Sequence, residues 1–300
     1  RRDQARALSA LGMALARQGR LAQGRQYYEQ AVAILRSTGD SSFAATALAG
    51  SAEVLLRQGT LPAARQRFEQ ALATKREVRD RLGAAEVLGA LADLHVTAGN
   101  LAAAGPLVEE QLRTARTLGA RALEVKGMGT QGNLQAARGD LEAAGRSLDQ
   151  ALRASLQMGE GPESADLRLD LASLALARQR FDEAERLARE AVGWYGARGL
   201  AGFEGHAWAV LAEALARRGR TGEAHEAAAR ARAKLAGLED RELALQAAPH
   251  LARALAGQGP QALQDLARAT EEARRLGFVT AWRELQQAGK DFKDTKDHKD

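Results

Sequence analysis

Apolar residues recur along this chain at the spacing of amphipathic helices, and the helices come in pairs. Near the start, Leu8, Leu11 and Leu15 share one face of a helix, because three- and four-residue steps follow the 3.6-residue period of an α-helix. Gly19 is placed to end that helix in a left-handed cap, and a second helix ends at Gly39. Two helices with a short turn between them predict an antiparallel hairpin.

The hairpin recurs with a period of 40 residues. The turn position falls on Gly19, Gly59, Gly99, Gly139, Gln179, Gly219 and Gly259. A fixed period in this range predicts a solenoid, in which each unit buries its apolar face only against its neighbours. The pattern breaks at Gln179, which replaces a turn glycine. It also fades in the seventh unit, whose second helix is predicted to be about two residues short.

Two columns of the repeat contain only glycine or alanine. They are Gly12, Ala52, Ala92, Gly132, Ala172, Ala212 and Ala252 in the first helices, and Gly24, Ala64, Ala104, Ala144, Ala184 and Ala224 in the second helices. Helices approach closely only where side chains are small, so these columns predict where the two helices of a hairpin touch. Larger residues are expected to fill the space between units: Tyr28, Phe68, Val108 and Leu148.

These columns resemble the tetratricopeptide repeat. The residues that carry the resemblance are Leu11, Gly12, Leu15, Gly19, Leu21, Gly24, Tyr28 and Ala31. The period of 40 and the missing proline after the second helix depart from the usual 34-residue unit. The stretch 80–93 is similar to the long-helix variety found in kinesin light chains, cell-polarity adaptors and sensor regions of bacterial regulators. The resemblance implies a right-handed superhelix whose first helices line a concave groove.

We therefore predict an all-α, right-handed superhelical solenoid of seven antiparallel helix hairpins plus a C-terminal capping helix. It forms one domain over 1–289, with repeats at about 1–40, 41–80, 81–120, 121–160, 161–200, 201–240 and 241–277, and a cap over 278–289. Residues 290–300 are charge-balanced and nearly free of apolar residues, so we expect a charged tail or a tag. Because Arg1 already lies at the start of a helix, we expect a piece of a longer protein.

Composition excludes several classes of site. The chain has no cysteine, which removes disulfides, thiolate metal sites and cysteine nucleophiles. The net charge of +5 is spread along the chain without a block of like charges, so it does not indicate nucleic-acid binding. No apolar run is long enough to span a membrane, and we predict a cytoplasmic protein.

The sequence offers no chemistry at reactive spacing. None of the histidines has a second histidine or a glutamate at the helical spacing of a metal site. Gly127, Gly129 and Gly132 are spaced like part of a phosphate loop, but no strand precedes them and the phosphate-binding lysine is absent. We predict that the chain is not an enzyme and binds no cofactor or metal.

The register of the first helices predicts which residues face the groove. Positions two, six and thirteen residues before each turn, with a few neighbours, give Arg17, Glu53, Arg57, Glu86, Asp93, Lys126, Gly129, Asn133, Asp166, Asp170, His206, Glu213 and Arg217. Glycine at 129 is interpreted either as neutral drift or as an opening in the groove floor. The middle of this set is polar and mildly acidic. An acidic groove favours a basic or amphipathic partner, although a solvated face without a partner is the alternative.

Two functions fit these observations. The first is a non-catalytic protein–protein interaction scaffold that binds a peptide or helix in its concave groove. The second is the effector-sensing region of a larger bacterial signalling ATPase or transcription regulator, which binds a small effector or another domain of its own chain. The absence of an aromatic-lined pocket from the predicted groove favours the first. Self-association is compatible with either.

Overall fold

The structure is a computed structural model that describes residues 1–256 and 260–297, with side chains described through residue 291. Its described residues form helices and no strand. The helices are α1 (Arg2–Arg17), α2 (Leu21–Ser37), α3 (Ser41–Arg57), α4 (Leu61–Glu77), α5 (Arg81–Thr97), α6 (Leu101–Leu118), α7 (Arg121–Ala137), α8 (Leu141–Met158), α9 (Pro162–Ala177), α10 (Phe181–Gly196), α11 (Ala201–Arg217), α12 (Thr221–Leu235), α13 (Arg241–Ala254), α14 (Pro260–Leu276) and α15 (Val279–Asp297).

Consecutive helices pack as antiparallel hairpins, and each hairpin packs on the next. The predicted all-α solenoid is confirmed, with α15 packed against α13 and α14 at the C-terminal end. The expectation of a short second helix in the seventh unit was wrong, because α14 has 17 residues, whereas α12 and α13 have only 15 and 14. The predicted turn at Gly259 lies outside the described residues. The α15 helix passes residue 289 and continues to Asp297.

The small-residue columns lie at the contact between the helices of each hairpin. Ala52, Ala64 and Ala92 are fully buried. A Cβ atom added to Gly12 would lie 2.9 Å from the carbonyl oxygen of Gly24 on the paired helix. At that distance the two backbones are already in contact, so only glycine fits without a shift of one helix.

The core runs as one continuous layer between the hairpins. Phe68, Val108 and Leu148 are 1%, 2% and 1% exposed, and they fill the space that the small residues leave. Burial of such side chains stabilises the fold by about 1.5–3 kcal/mol each. Since each unit is covered by its neighbours, most of this stabilisation depends on the contact between successive hairpins.

The solenoid curves far enough for its end to contact its beginning. In a stack of antiparallel hairpins, the turns within hairpins lie along one edge and the loops between hairpins lie along the opposite edge. Leu238, in the loop before α13, would be 3.2 Å from a Cβ atom on Gly19, and Val279, after α14, would be 2.6 Å from a Cβ atom on Gly99. Opposite edges therefore meet, so the superhelix completes one turn around a central channel.

We call this contact the closure seam. In the closure seam, the turns of the first three hairpins (17–22, 57–60 and 96–99) contact two later segments (236–243 and 276–280). Along the part of the chain that the structure describes, no helix combines the length and apolar character needed to cross a bilayer.

Candidate functional site

The inner surface of the channel carries a cluster of carboxyl groups. Asp93 lies on α5, and Asp166 and Asp170 lie on α9. The negative charges of Asp166 and Asp93 both act to raise the pKa of Asp170, and Glu53 on α3 does the same to Asp93. These charge effects, which are smaller than that of burial, link α3, α5 and α9 across a common space. The sequence-predicted residues Glu53, Asp93, Asp166 and Asp170 are thus brought together.

Neutral hydrogen-bond donors hold two of the aspartates. The amide nitrogen Nδ2 of Asn133 donates to Oδ2 of Asp170 over 3.1 Å. The hydroxyl of Tyr195 donates to Oδ1 of Asp166 over 2.5 Å. These donors fix the orientation of the carboxylates but bring no positive charge.

The channel walls change the acidity of the cluster. Burial is the main cause that raises the pKa of Asp93 and Asp170 to about 7 each, and it raises the pKa of Asp166 as well. The Asp93 side chain is partly open to solvent, yet the surrounding walls restrict its hydration. Carboxyl groups with such pKa values take up and release protons near neutral pH. A bound cation would favour their ionised forms.

Two cations act on this cluster from the inner wall. Against the larger effect of burial, Lys126 acts to lower the pKa of Asp93 and Asp166, and Arg17 acts to lower the pKa of Asp166. Lys126 is exposed and lies 3.6 Å from Glu163, and the guanidinium carbon of Arg17 lies 6.0 Å from the ring centre of Phe203. Glu86 is exposed one repeat before Lys126. The lining therefore carries more carboxylates than cations.

An aromatic pair adjoins the carboxyl cluster. The rings of Tyr195 and Phe203 stack with their centres 5.4 Å apart. Tyr195 is fully buried and bonded to Asp166, so only Phe203 of the pair is partly exposed. Sequence reasoning missed the bond from Tyr195 to Asp166 because Tyr195 lies on the second helix of its hairpin, which was not expected to line the groove.

Several predicted groove residues are buried in contacts of their own. Arg57 is 7% exposed and pairs with Asp240 in the closure seam. Glu213 is 3% exposed, and its Oε2 lies 2.7 Å from Nδ1 of His250. Gly129 is buried, where an added Cβ atom would lie 3.3 Å from Leu167. These three do not present a free surface, and the Leu167 side chain lies close to Gly129.

The last two predicted residues lie farther along the solenoid. The ring of His206 is half-buried, 6.0 Å from that of His250. Burial, followed by the neighbouring His250, lowers the pKa of His206 to about 3, so its ring is neutral. Arg217 is exposed and stacks over the ring of Phe181 with 5.0 Å from its guanidinium carbon to the ring centre.

Glu242 is a further inner carboxyl group that the sequence analysis did not identify. Burial is the largest cause that raises its pKa to about 8, followed by the charge of Asp240. Its Oε1 accepts a hydrogen bond from the Thr97 hydroxyl over 3.4 Å. The position of Glu242 in the repeat matches that of Arg2, Ser42 and Leu82, so periodicity gave no signal of its acidity or of its contact with α5.

The arrangement is suited to binding. Over residues 1–256 and 260–297, no three or more His, Asp or Glu side chains are grouped so that they could hold a metal ion. The inner wall offers carboxylates, the Asn133 amide and the partly exposed ring of Phe203. Such groups supply ion pairs, hydrogen bonds and stacking to a ligand with positive and apolar parts.

Comparisons with known proteins find a family model that matches part of the chain. Residues 3–77 and 43–117 match the family model described as Tetratricopeptide repeat. No curated protein is significantly similar to the chain in sequence.

Solved structures share the fold at low sequence identity. The Rap conjugation gene regulator of the plasmid pLS20, in complex with the Phr* peptide, is 14% identical with a TM-score of 0.70, and the match covers 90% of this chain and 73% of that one. A Rap protein complexed with Competence and Sporulation Factor is 13% identical with a TM-score of 0.64, over 98% and 99% of the chains. A signal transduction ATPase (STAND) with a tetratricopeptide repeat sensor from Pyrococcus horikoshii is 12% identical with a TM-score of 0.60, over 91% of this chain and 45% of that one.

Proposed function

We propose that this chain, whose residues 3–117 match the tetratricopeptide repeat family, is a protein-interaction scaffold whose channel binds a basic or amphipathic peptide or helix. The observation that carries the proposal is the carboxyl cluster of Glu53, Asp93, Asp166 and Asp170, in which uncharged donors hold Asp166 and Asp170, on an inner wall where carboxylates outnumber cations. Solenoids present such concave surfaces for extended contact with a partner. Two structural neighbours, both Rap proteins, are solved in complex with the Phr* peptide and with Competence and Sporulation Factor.

The chemistry of the wall favours positive charge in the ligand. Lysine or arginine side chains would add to the counter-charges of Lys126 and Arg17, and the partly exposed ring of Phe203 would accept an apolar or cationic group. An acidic peptide would instead add like charge to a crowded cluster. Binding, rather than chemistry, is the role typical of this fold.

A charge-reversal experiment tests the proposal. The probe is a fluorescein-labelled amphipathic peptide of lysine and leucine, compared with the same peptide carrying glutamate for lysine. We expect Glu53→Lys with Asp93→Lys to weaken binding of the lysine peptide by about tenfold or more and to leave the melting temperature unchanged. The matched control is Glu109→Lys with Asp149→Lys, which makes the same change in net charge on exposed positions of α6 and α8.

Proton release gives a second measurement. A bound cation favours the ionised forms of Asp93 and Asp170 and so lowers pKa values that stand at about 7. Calorimetry in two buffers of different ionisation enthalpy should show protons released on binding between about pH 6 and 7. Equal weakening by the inner and outer charge reversals, or equal affinity for the glutamate peptide, would show that the channel is not the binding site.

A second function is favoured by the partly exposed ring of Phe203, which stacks on the tyrosine that binds Asp166. A ring close to a carboxylate suits a small effector with a cationic group, as the sensing region of a larger bacterial signalling ATPase or transcription regulator would require. Phe203→Ala distinguishes the two functions. We expect it to weaken binding of the lysine peptide only modestly if a long peptide fills the channel, whereas complete loss of peptide binding in Phe203→Ala, with no loss in Glu53→Lys, would favour a small effector at Phe203.

A further inference from the structure

The closure seam has a buried ion pair at its centre. Arg57 donates from Nε to Oδ2 of Asp240 over 2.9 Å and from Nη1 to the carbonyl oxygen of Ala16 over 2.9 Å. The side chains of Arg57 and Asp240 are 9% and 1% exposed. Asp240 also accepts from the backbone N–H of Leu243 at the start of α13. One pair thus ties the second hairpin to the first and to the seventh.

The rest of the seam consists of small, separate contacts. The Ala22 N–H, at the start of α2, donates to Oε2 of Glu239 over 2.7 Å. The hydroxyl of Thr280 donates to the Val96 carbonyl oxygen over 2.5 Å. The apolar contacts are made by side-chain tips against turns, as where a Cβ atom on Gly59 would lie 2.9 Å from Leu276.

The seam differs in kind from the contacts between successive hairpins. Those contacts form a continuous apolar core with side chains such as Phe68 and Leu148 almost fully buried. Breaking the seam exposes a charged pair, which water can solvate, and a few side-chain tips. Regions with few buried apolar contacts open first, while the core stays folded. The superhelix can therefore part at the seam without losing its hairpins.

We propose that the seam is a latch, set by the Arg57–Asp240 pair, that opens the side of the channel. With the latch closed, one full turn of the superhelix surrounds the inner surface, and only the two axial openings lead to it. With the latch open, the channel is accessible along its length. This inference goes beyond the proposed function: it concerns access to the channel and is tested without a ligand.

Cysteine accessibility provides the test, because the chain contains no cysteine. A single cysteine is placed in the channel as Glu53→Cys, and its rates of reaction are measured with N-ethylmaleimide and with a maleimide on a long polyethylene glycol chain. In the latch variant Asp240→Asn, we expect the bulky reagent to react faster by about tenfold or more, with little change for the small reagent. Circular dichroism should show unchanged helix content.

Matched controls separate opening from unfolding. The exposed pair of Arg232 and Asp265 supplies Asp265→Asn, which should change neither rate. A reporter on the outer face, Glu109→Cys, should react equally in every background. Glu239→Lys is a second latch variant at an exposed position and keeps the test valid if Asp240→Asn does not fold.

The outcomes are separable. Faster reaction of the bulky reagent at position 53 in both latch variants supports the latch. An unchanged rate in a folded Asp240→Asn or Glu239→Lys protein overturns it. Neither result depends on whether the lysine peptide binds, so failure of the latch and failure of the proposed binding function are distinguished.

Discussion

The hairpin turns of the first and second halves of the solenoid share one backbone conformation but differ in their surroundings. Gly19, Gly59 and Gly99 have φ of 83°, 82° and 71°, and Gly139 and Gly219 have 86° and 76°. Added Cβ atoms at the first three would meet Leu238, Leu276 and Val279 at 3.2, 2.9 and 2.6 Å, whereas at Gly139 and Gly219 they would meet nothing within 4 Å. Periodicity fixes the turn, and the superhelical path decides what covers it.

The fifth turn shows what the uncovered positions tolerate. Gln179 adopts φ of 60° in place of glycine, and it is exposed. Its side chain has room, so only the backbone strain remains. A glycine at a covered turn serves two needs at once, the left-handed conformation and the close approach of the seam.

The largest expected effect is at the centre of the seam. Asp240→Ala leaves Arg57 without its counter-charge, and loss of one partner of a buried pair costs about 3–5 kcal/mol. We expect the free energy of unfolding to fall by about 3 kcal/mol, the low end of that range. The loss is at the low end because Arg57 becomes hydrated when the seam opens. Urea unfolding followed by circular dichroism measures it. Asp265→Ala, in a pair that is 45% and 41% exposed, should lose about 1 kcal/mol or less.

Alanine at a covered turn should cost more than alanine at an open one. Gly139→Ala adds only backbone strain, about 1–2 kcal/mol. Gly99→Ala adds the same strain and a Cβ atom 2.9 Å from that of Val279, for which overpacking costs about 1–3 kcal/mol more. Thermal or urea unfolding of both variants gives the difference. Gly99→Ala combined with Val279→Ala should recover part of it, and equal losses at positions 99 and 139 would contradict contact at the seam.

Glu242, in the closure seam, makes the stability of the fold depend on pH. The pKa of Glu242 is raised to about 8, first by burial and then by Asp240, with smaller raising effects of Asp93 and Glu53 and an opposing effect of Arg57. A carboxyl group with a raised pKa stabilises the fold fully below its unfolded pKa of about 4.3. That contribution declines as the pH rises to about 8.

Glu242→Gln tests this dependence. Glutamine keeps an acceptor for the Thr97 hydroxyl but does not ionise. We therefore expect the variant to gain stability relative to the parent protein as the pH rises from 5 to about 8. Urea unfolding at several pH values across that range measures the difference in unfolding free energy between the parent protein and the variant. The control is Glu109→Gln at an exposed position. Parallel stability curves for parent and Glu242→Gln would contradict a buried, protonated Glu242.

The smallest effect is expected at the open fifth turn. Gln179→Gly removes the strain of a left-handed side-chain residue and should stabilise the protein by about 1 kcal/mol. The control is Gln58→Gly, where φ of −77° is right-handed, so that glycine destabilises by about 0.5–1 kcal/mol through lost backbone entropy. The two substitutions should shift the unfolding midpoint in opposite directions, and a shift in the same direction would contradict the strain at position 179.

The aspartates of the carboxyl cluster were predictable from the sequence because they lie at repeating positions on the first helices of the hairpins. Asp93, Asp166 and Asp170 lie on first helices at positions that repeat with the turn, so the period alone assigned them to the inner face. Of the two hydrogen-bond donors to these aspartates, only one was predictable. Asn133 follows the same register, whereas Tyr195 reaches Asp166 from a second helix across the hairpin. Arg57 and Glu213 share the inner register too, but contacts specific to their neighbours bury them.

The sequence by itself determined the hairpins, the turns and the small-residue columns. Each depends on residues close together in the chain, through helical periodicity, left-handed caps and close approach of paired helices. Only the tertiary structure decided that the solenoid closes. The meeting of Arg57 with Asp240 spans 183 residues, and it depends on the rotation between successive hairpins summed over the whole turn. A small change at each interface would separate them, and no local pattern encodes that sum.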